Sequence, residues 1–189
     1  MELEYYDKQF DGIDFSEKQF KDHAFEQCEF LNCNFAKASF CEALFEDCTF
    51  ENCNLVNVNL TNCKWQAVTF KQSKISGLDL DTISKMLLEF SFENCALGYC
   101  NFQGLKIPKT RFLNSEIKEC DFLDTDLNQS DFSGSDLNES NFNQCDLQKT
   151  NFTTAFNYRF DLNNNKVKGA RFSSPEVLNF LVPFGIKVE

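Results

Sequence analysis

The sequence predicts an all-β fold of the solenoid kind, and three observations carry that reading. Phe occupies positions 10, 15, 20, 25, 30, 35, 40, 45 and 50, and the same five-residue beat continues through Leu55, Leu60, Trp65, Phe70, Ile75 and Leu80. An amphipathic helix repeats at about 3.6 residues and a half-buried strand at about 2, so neither produces a strict period of five. Two residues before most beats from Phe30 on the side chain is small, as at Cys28, Cys33, Ala38, Ala43, Cys48 and Cys53, while the remaining three positions are mostly polar. Two inward residues in each unit describe a narrow coil with four sides, in which every short unit buries its apolar residue only against its neighbours.

The first repeat tract covers residues 1–80. After Leu80 the beat fails once and resumes on Phe92, an interval two residues longer than two units. Residues 81–91 therefore read as an inserted loop. Ile83, Lys85, Met86, Leu87 and Leu88 either fold back as a tolerated insertion or contact a partner, since loops on rigid scaffolds commonly carry function. The second tract, 92–172, continues through Leu97, Phe102, Ile107, Phe112, Ile117 and Phe122 to Phe152. Phe on every second beat predicts two opposite sides lined by Phe. Asp or Asn recurs just before the beat, from Asn101 to Asn151. Their short side chains suit corner turns, because they bond nearby backbone and tolerate unusual dihedrals. Asn157 replaces a beat residue, and the phase recovers at Leu162, Val167 and Phe172.

Residues 173–189 predict a short C-terminal helix and tail. Ser174 reads as the N-cap, Pro175 as the first helical residue and Glu176 as a first-turn acid. Val177, Leu178, Leu181 and Phe184 supply an apolar face, Pro183 and Gly185 end the helix, and Ile186–Val188 follow as an extended end. This segment either caps the open coil or pairs with its twin, in which case Val177, Leu178, Leu181, Phe184 and Ile186 form the dimer interface.

The length suits one domain, 1–189. The formal net charge of −11 and pI near 4.6 argue against direct nucleic-acid binding and against adhesion to anionic membranes. Between residues 116 and 146 lie Glu116, Glu119, Asp121, Asp124, Asp126, Asp131, Asp136, Glu139 and Asp146, with Lys118 the single base. No apolar stretch approaches the roughly 20 residues of a membrane span, and the first residues lack a signal-peptide pattern, so a cytoplasmic location is expected. Of the 10 Cys, all but Cys41 fall in the small slot, which favours packing over disulfides or metal. Cys41 should point outward and react first. His23 falls in an inward slot and reads as a packed residue. No catalytic constellation, phosphate loop or zinc pattern appears, so neither an enzyme nor a cofactor or metal is expected.

These units resemble the pentapeptide-repeat family, whose repeats place a small residue two positions before Leu or Phe. The resemblance implies a right-handed quadrilateral β-helix of four pentapeptides per coil, with Cys28 stacked on Cys48 and Cys33 on Cys53. At about 4.8 Å per coil, seven to eight coils give a rod of roughly 35–40 Å. The ending Ser173–Val188, the Cys-rich first half and the single phase break are similar to the Qnr, MfpA and McbG group. That resemblance implies a homodimer joined at its C-termini, a DNA mimic that binds bacterial type II topoisomerase (DNA gyrase or topoisomerase IV). It would protect the enzyme from quinolones or peptide toxins. A stiff acidic rod suits the basic saddle where such enzymes hold duplex, so the acids of 116–146, read as one acidic face, and the loop residues become candidate contacts. The alternative is a structural interaction scaffold with no topoisomerase contact.

Overall fold

The computed structural model describes residues 3–186. The chain winds as a four-sided parallel β-solenoid of about eight turns. Outside the insertion, paired residues lie 20 positions apart, as in Phe30↔Phe50. The first side carries the strands Glu4–Tyr6, Ala24–Glu26, Leu44–Glu46 and Lys64–Gln66. The second side is a six-stranded ladder from Gln9–Asp11 to Phe112–Leu113, and the third runs from Asn54–Val56 to Glu116–Lys118. The fourth is held by single bridges such as Gln19↔Ser39 and Asn101↔Asp121.

Beat residues fill the interior because a coil this narrow has room for one large side chain per side. On the second side Phe10, Phe30, Phe50, Phe70, Phe92, Phe112, Phe132, Phe152 and Phe172 stack in one column with ring centroids 4.6 to 5.4 Å apart. Phe102, Phe122 and Phe142 form the opposite column and meet the first edge-on, as Phe102 does Phe112 at 5.8 Å and 80°. Phe therefore lines two opposite sides of the second tract, and the offset-stacked and edge-on geometries are those that ring quadrupoles favour.

The small slot has a chemical as well as a steric reason. Where the slot holds Cys, Ser or Thr, the side chain can donate to the carbonyl of a beat residue one coil away: Ser135 Oγ to Phe112 O at 2.7 Å, Thr150 Oγ1 to Leu127 O at 2.8 Å, Cys145 Sγ to Phe122 O at 2.9 Å. Cys, Ser and Thr interchange there because each is small and carries a donor. All cysteines are free thiols. His23 is half-buried against Tyr5, Phe20 and Phe25.

The corners correct one expectation. The left-handed backbone falls two residues after the beat, at Gln27, Asn52, Glu119 and Asp124 among others, not on the Asp and Asn before the beat. Those earlier residues do make the expected turn bonds: Asp121 Oδ1 accepts from the Leu123 N–H at 2.9 Å, and Asp126 Oδ1 from the Asn128 N–H at 3.0 Å.

The insertion is narrower than 81–91. Ile83 stays buried in the small slot above Cys63, and Phe90 is buried in register with Val68. The two extra residues are absorbed between Ser84 and Glu89, where Met86 is 63% and Leu87 73% exposed and Leu88 leans on the core.

At the C-terminus, residues Glu176–Phe184 form a 3-10 helix, and three details differ from expectation. Pro175 and not Ser174 is the N-cap, no side chain makes a capping bond, and Pro183 lies inside the helix. Gly185 ends it as expected, at φ 66° with its N–H donating to Val182 O at 3.1 Å. The anchor is Phe180, which packs on Tyr158, Phe160 and Phe172 at 5.1 to 5.6 Å and covers the last coil. Lys187 and Val188 of the expected tail lie outside the described residues.

Candidate partner-binding surface

The four-sided winding deals the acids of 116–146 to different sides, so they do not form one face. Glu116 and Asp136 are bridge partners on the third side. Glu119 and Glu139 follow one coil apart at its corner, and Asp121 opens the fourth side next to them. These five share one edge of the rod. Lys118 is held there, with Nζ 3.0 Å from Glu116 and 3.6 Å from Asp136, and the Glu116 bond raises its pKa. The edge stays acidic after that pairing. Tyr99, exposed one coil below Glu119, has its hydroxyl pKa raised by the Glu119 carboxylate.

Asp124 lies exposed at the far corner of the fourth side. Asp126 and Asp146 are elsewhere, in the first-side row Lys106–Asp126–Asp146–Lys166. Asp131 sits in the second-side row Arg111–Asp131–Asn151–Arg171. It accepts from the Ser133 N–H and Asn151 Nδ2, both at 2.9 Å. These three acids serve turns and ladders between bases. Lys109 and Lys149 occupy the corner between those two sides. The rod is thus polarised across its section, one edge acidic and the diagonally opposite edge basic.

The C-terminal end is the main apolar surface. Val177, Leu178, Val182, Phe184 and Ile186 are exposed, Phe184 by 69%, while Leu181 is half-buried. A groove of about 630 Å³ runs between the helix and Phe160–Asn163, with Phe160, Leu162, Phe180, Val182 and Phe184 in its walls. Among the described residues no helix is long and apolar enough to cross a membrane, and no cluster of His, Cys, Asp and Glu is placed to hold a metal ion.

Comparison with known proteins accords with this architecture. The family model for the pentapeptide repeat region matches residues 5–80 and 85–152. The chain belongs to the pentapeptide-repeat family. The gap between the two matched stretches, 81–84, lies immediately before the exposed part of the insertion. Among solved structures, this pentapeptide-repeat protein is similar to two forms of QnrB1, described as a plasmid-mediated fluoroquinolone resistance protein. One superposes with a TM-score of 0.68 at 18% identity, covering 98% of this chain and 91% of that one. The other gives 0.69 at 15%, covering 98% and 99%. HetL from the cyanobacterium Nostoc, a pentapeptide repeat protein involved in heterocyst differentiation regulation, gives 0.51 at 11%, covering 91% and 87%. These likenesses show the shared fold. No curated protein sequence matches the chain.

Sequence reasoning missed Phe180 and the basic edge. The second was within reach, because Lys109 and Lys149, or Arg111 and Arg171, are separated by whole coils and therefore stack.

Proposed function

We propose that this pentapeptide-repeat protein is a non-enzymatic, dimeric DNA mimic that binds a bacterial type II topoisomerase, DNA gyrase or topoisomerase IV, in the cytoplasm. Bound there, it lessens the action of quinolones or peptide toxins. The observation that carries the reading is the acidic edge of Glu116, Glu119, Asp121, Asp136 and Glu139, held in rows on a stiff rod. Carboxylates repeated at the coil spacing of about 4.8 Å present a line of negative charge to a basic duplex-binding groove. The second support is the exposed C-terminal apolar surface. Buried against a second copy, Val177, Leu178, Val182, Phe184 and Ile186 would join two rods into one of roughly 70–80 Å. The third is the loop, which points Met86 and Leu87 outward at one point along the rod. The resemblance to QnrB1 agrees with this reading.

Quinolone titration in a gyrase supercoiling assay tests it. The protein should shift the inhibitory quinolone concentration upward. Glu119→Lys with Glu139→Lys should reduce that shift, as should raising the salt. Leu178→Asp with Phe184→Asp should leave a monomer by light scattering. No protection and no inhibition at micromolar protein would sink the proposal. An interaction scaffold with no topoisomerase contact is the second reading, favoured by the basic edge, which has no counterpart on a duplex.

A further inference from the structure

The insertion leaves a break in the first-side ladder. Among the described residues no backbone group of 84–89 bonds to 105–109; the Ser84 and Glu89 N–H groups bond only to the coil below, at Cys63 O and Trp65 O. One coil higher, Asp126 donates its N–H to Leu105 O, Asp126 O accepts from the Ile107 N–H, and Asn128 O accepts from the Lys109 N–H. The equivalent groups beneath, the Lys106 N–H and the Lys106 and Pro108 carbonyls, therefore face the gap without a strand to meet them. Beside the gap lies a groove of about 500 Å³, walled by Thr69, Leu88, Ser91, Pro108, Lys109 and Arg111 among others.

Above the groove runs the basic edge. Lys109, Arg111, Lys149, Lys168 and Arg171 are exposed, and none has a carboxylate oxygen within 4.0 Å among the described residues. Lys106 and Pro108 are residues that shield an open strand edge from indiscriminate pairing. Shielding of this gap does not account for Lys149, whose coil is bonded above and below, nor for Lys168 and Arg171 on the last coil, three coils above the gap. The charge there selects a ligand.

From the open edge, the groove and the unpaired cations together, we infer that this corner takes an extended, acidic protein segment, added as a strand beneath 105–109 with its carboxylates along the basic edge. Duplex nucleic acid is disfavoured because its binding requires many phosphate contacts, whereas Asp131 and Glu89 interrupt the cations and the whole rod is strongly acidic. The inference does not depend on topoisomerase binding.

A fluorescein-labelled peptide of alternating Glu and Val is the probe, followed by anisotropy and by the emission of Trp65, the only tryptophan, which lies directly below the insertion. Saturable binding is expected in about 50 mM salt, where screening is weak. Lys109→Glu with Arg111→Glu and Lys149→Glu should weaken it at least about tenfold, with circular dichroism confirming the fold. Glu119→Lys on the opposite edge should not weaken it. The same peptide N-methylated at alternate residues, unable to complete a ladder, should also bind at least about tenfold less well. No saturable binding, equal binding by a short duplex, or unchanged affinity in the triple variant would each overturn the inference. The triple variant keeps the acidic edge, so its quinolone protection reads the proposed function separately.

Discussion

Ser135 offers a test of why the small slot is chemically selective. Its side chain is fully buried. The hydroxyl accepts from the Ser115 N–H at 2.9 Å and donates to Phe112 O at 2.7 Å, so it ties its coil twice to the one below. Ser135→Ala removes both bonds and strands a buried N–H, which costs about 1–3 kcal/mol. Ser135→Val also loses both and adds carbon where the neighbouring beats already fill the space, a further cost of about 1–3 kcal/mol. Ser135→Cys keeps a weak donor and acceptor in a slot that Cys33, Cys53 and Cys95 fill on the same side, so the loss should stay below about 1 kcal/mol. Urea titration followed by circular dichroism and by Trp65 emission measures all three. The expected order of stability is wild type, Cys, Ala, Val. Ala matching wild type, or Cys costing as much as Val, would refute the claim that the donor at this position stabilises the coil and leave size as the sole criterion.

Other consequences of the architecture are as direct. Cys41 is the one thiol outside the small slot and is only partly covered, so iodoacetamide followed by peptide mapping should modify it first, with the other cysteines reacting only on unfolding. Burial pushes Cys48 and Cys53 up to about 12 and Cys145 to about 11. A raised thiol pKa favours the folded state fully below the unfolded value of about 8.5, and that contribution is lost as pH climbs toward the folded value. The urea midpoint should therefore fall steeply above about pH 9, and less so in Cys48→Ser with Cys53→Ser. Gly104 and Gly134 both hold left-handed backbone, but a Cβ meets nothing at Gly104 and runs into Asn114 Oδ1 at Gly134. By thermal melting, Gly134→Ala should destabilise more than Gly104→Ala, by roughly 1 kcal/mol or more.

How much was legible from the sequence depended on whether the signal was local or needed the register. The beat, the small slot, the packing role of the cysteines and the site of the insertion all follow from a five-residue period and are found in place. The left-handed corner was misassigned because a period says which residues recur, not which one bends. Phe180 was missed because an apolar face was read at helical spacing, whereas the 3-10 turn repeats at about three residues and selects a different side chain for the core. The acids of 116–146 looked like a single patch because they are contiguous in sequence, while a four-sided coil sends neighbours in sequence to different sides. The basic edge was invisible for the converse reason: its members lie far apart in sequence and meet only once the coils are counted.

The insertion shows how local a fault in this fold remains. Register shifts from 20 to 22 residues at Phe70↔Phe92, Ile75↔Leu97 and Asp79↔Asn101 and returns to 20 at Phe92↔Phe112. The Phe column crosses it with a spacing of 5.2 Å, against 5.1 Å in the step before, so three sides remain intact and the break stays on the first. There the interior place above Trp65 has no beat residue, and Phe90, in a slot that mostly takes smaller side chains, packs edge-on against Trp65 at 5.8 Å. Deleting Lys85 and Met86 would set Leu87 on the beat, five residues after Leu80 and five before Phe92, with Ile83 and Phe90 in the small slots. Burying Leu87, now 73% exposed, should contribute about 1.5–3 kcal/mol. With Phe90 retained, overpacking of about 1–3 kcal/mol should offset most of that gain. Adding Phe90→Val, to match Val68 directly below, should release it. The deletion with Phe90→Val should therefore have a higher urea midpoint than wild type and than the deletion alone, and should lose the binding of the acidic peptide. If that double change is less stable than wild type, Phe90 does not compensate for a missing beat residue, and the loop must stabilise the coil in some other way.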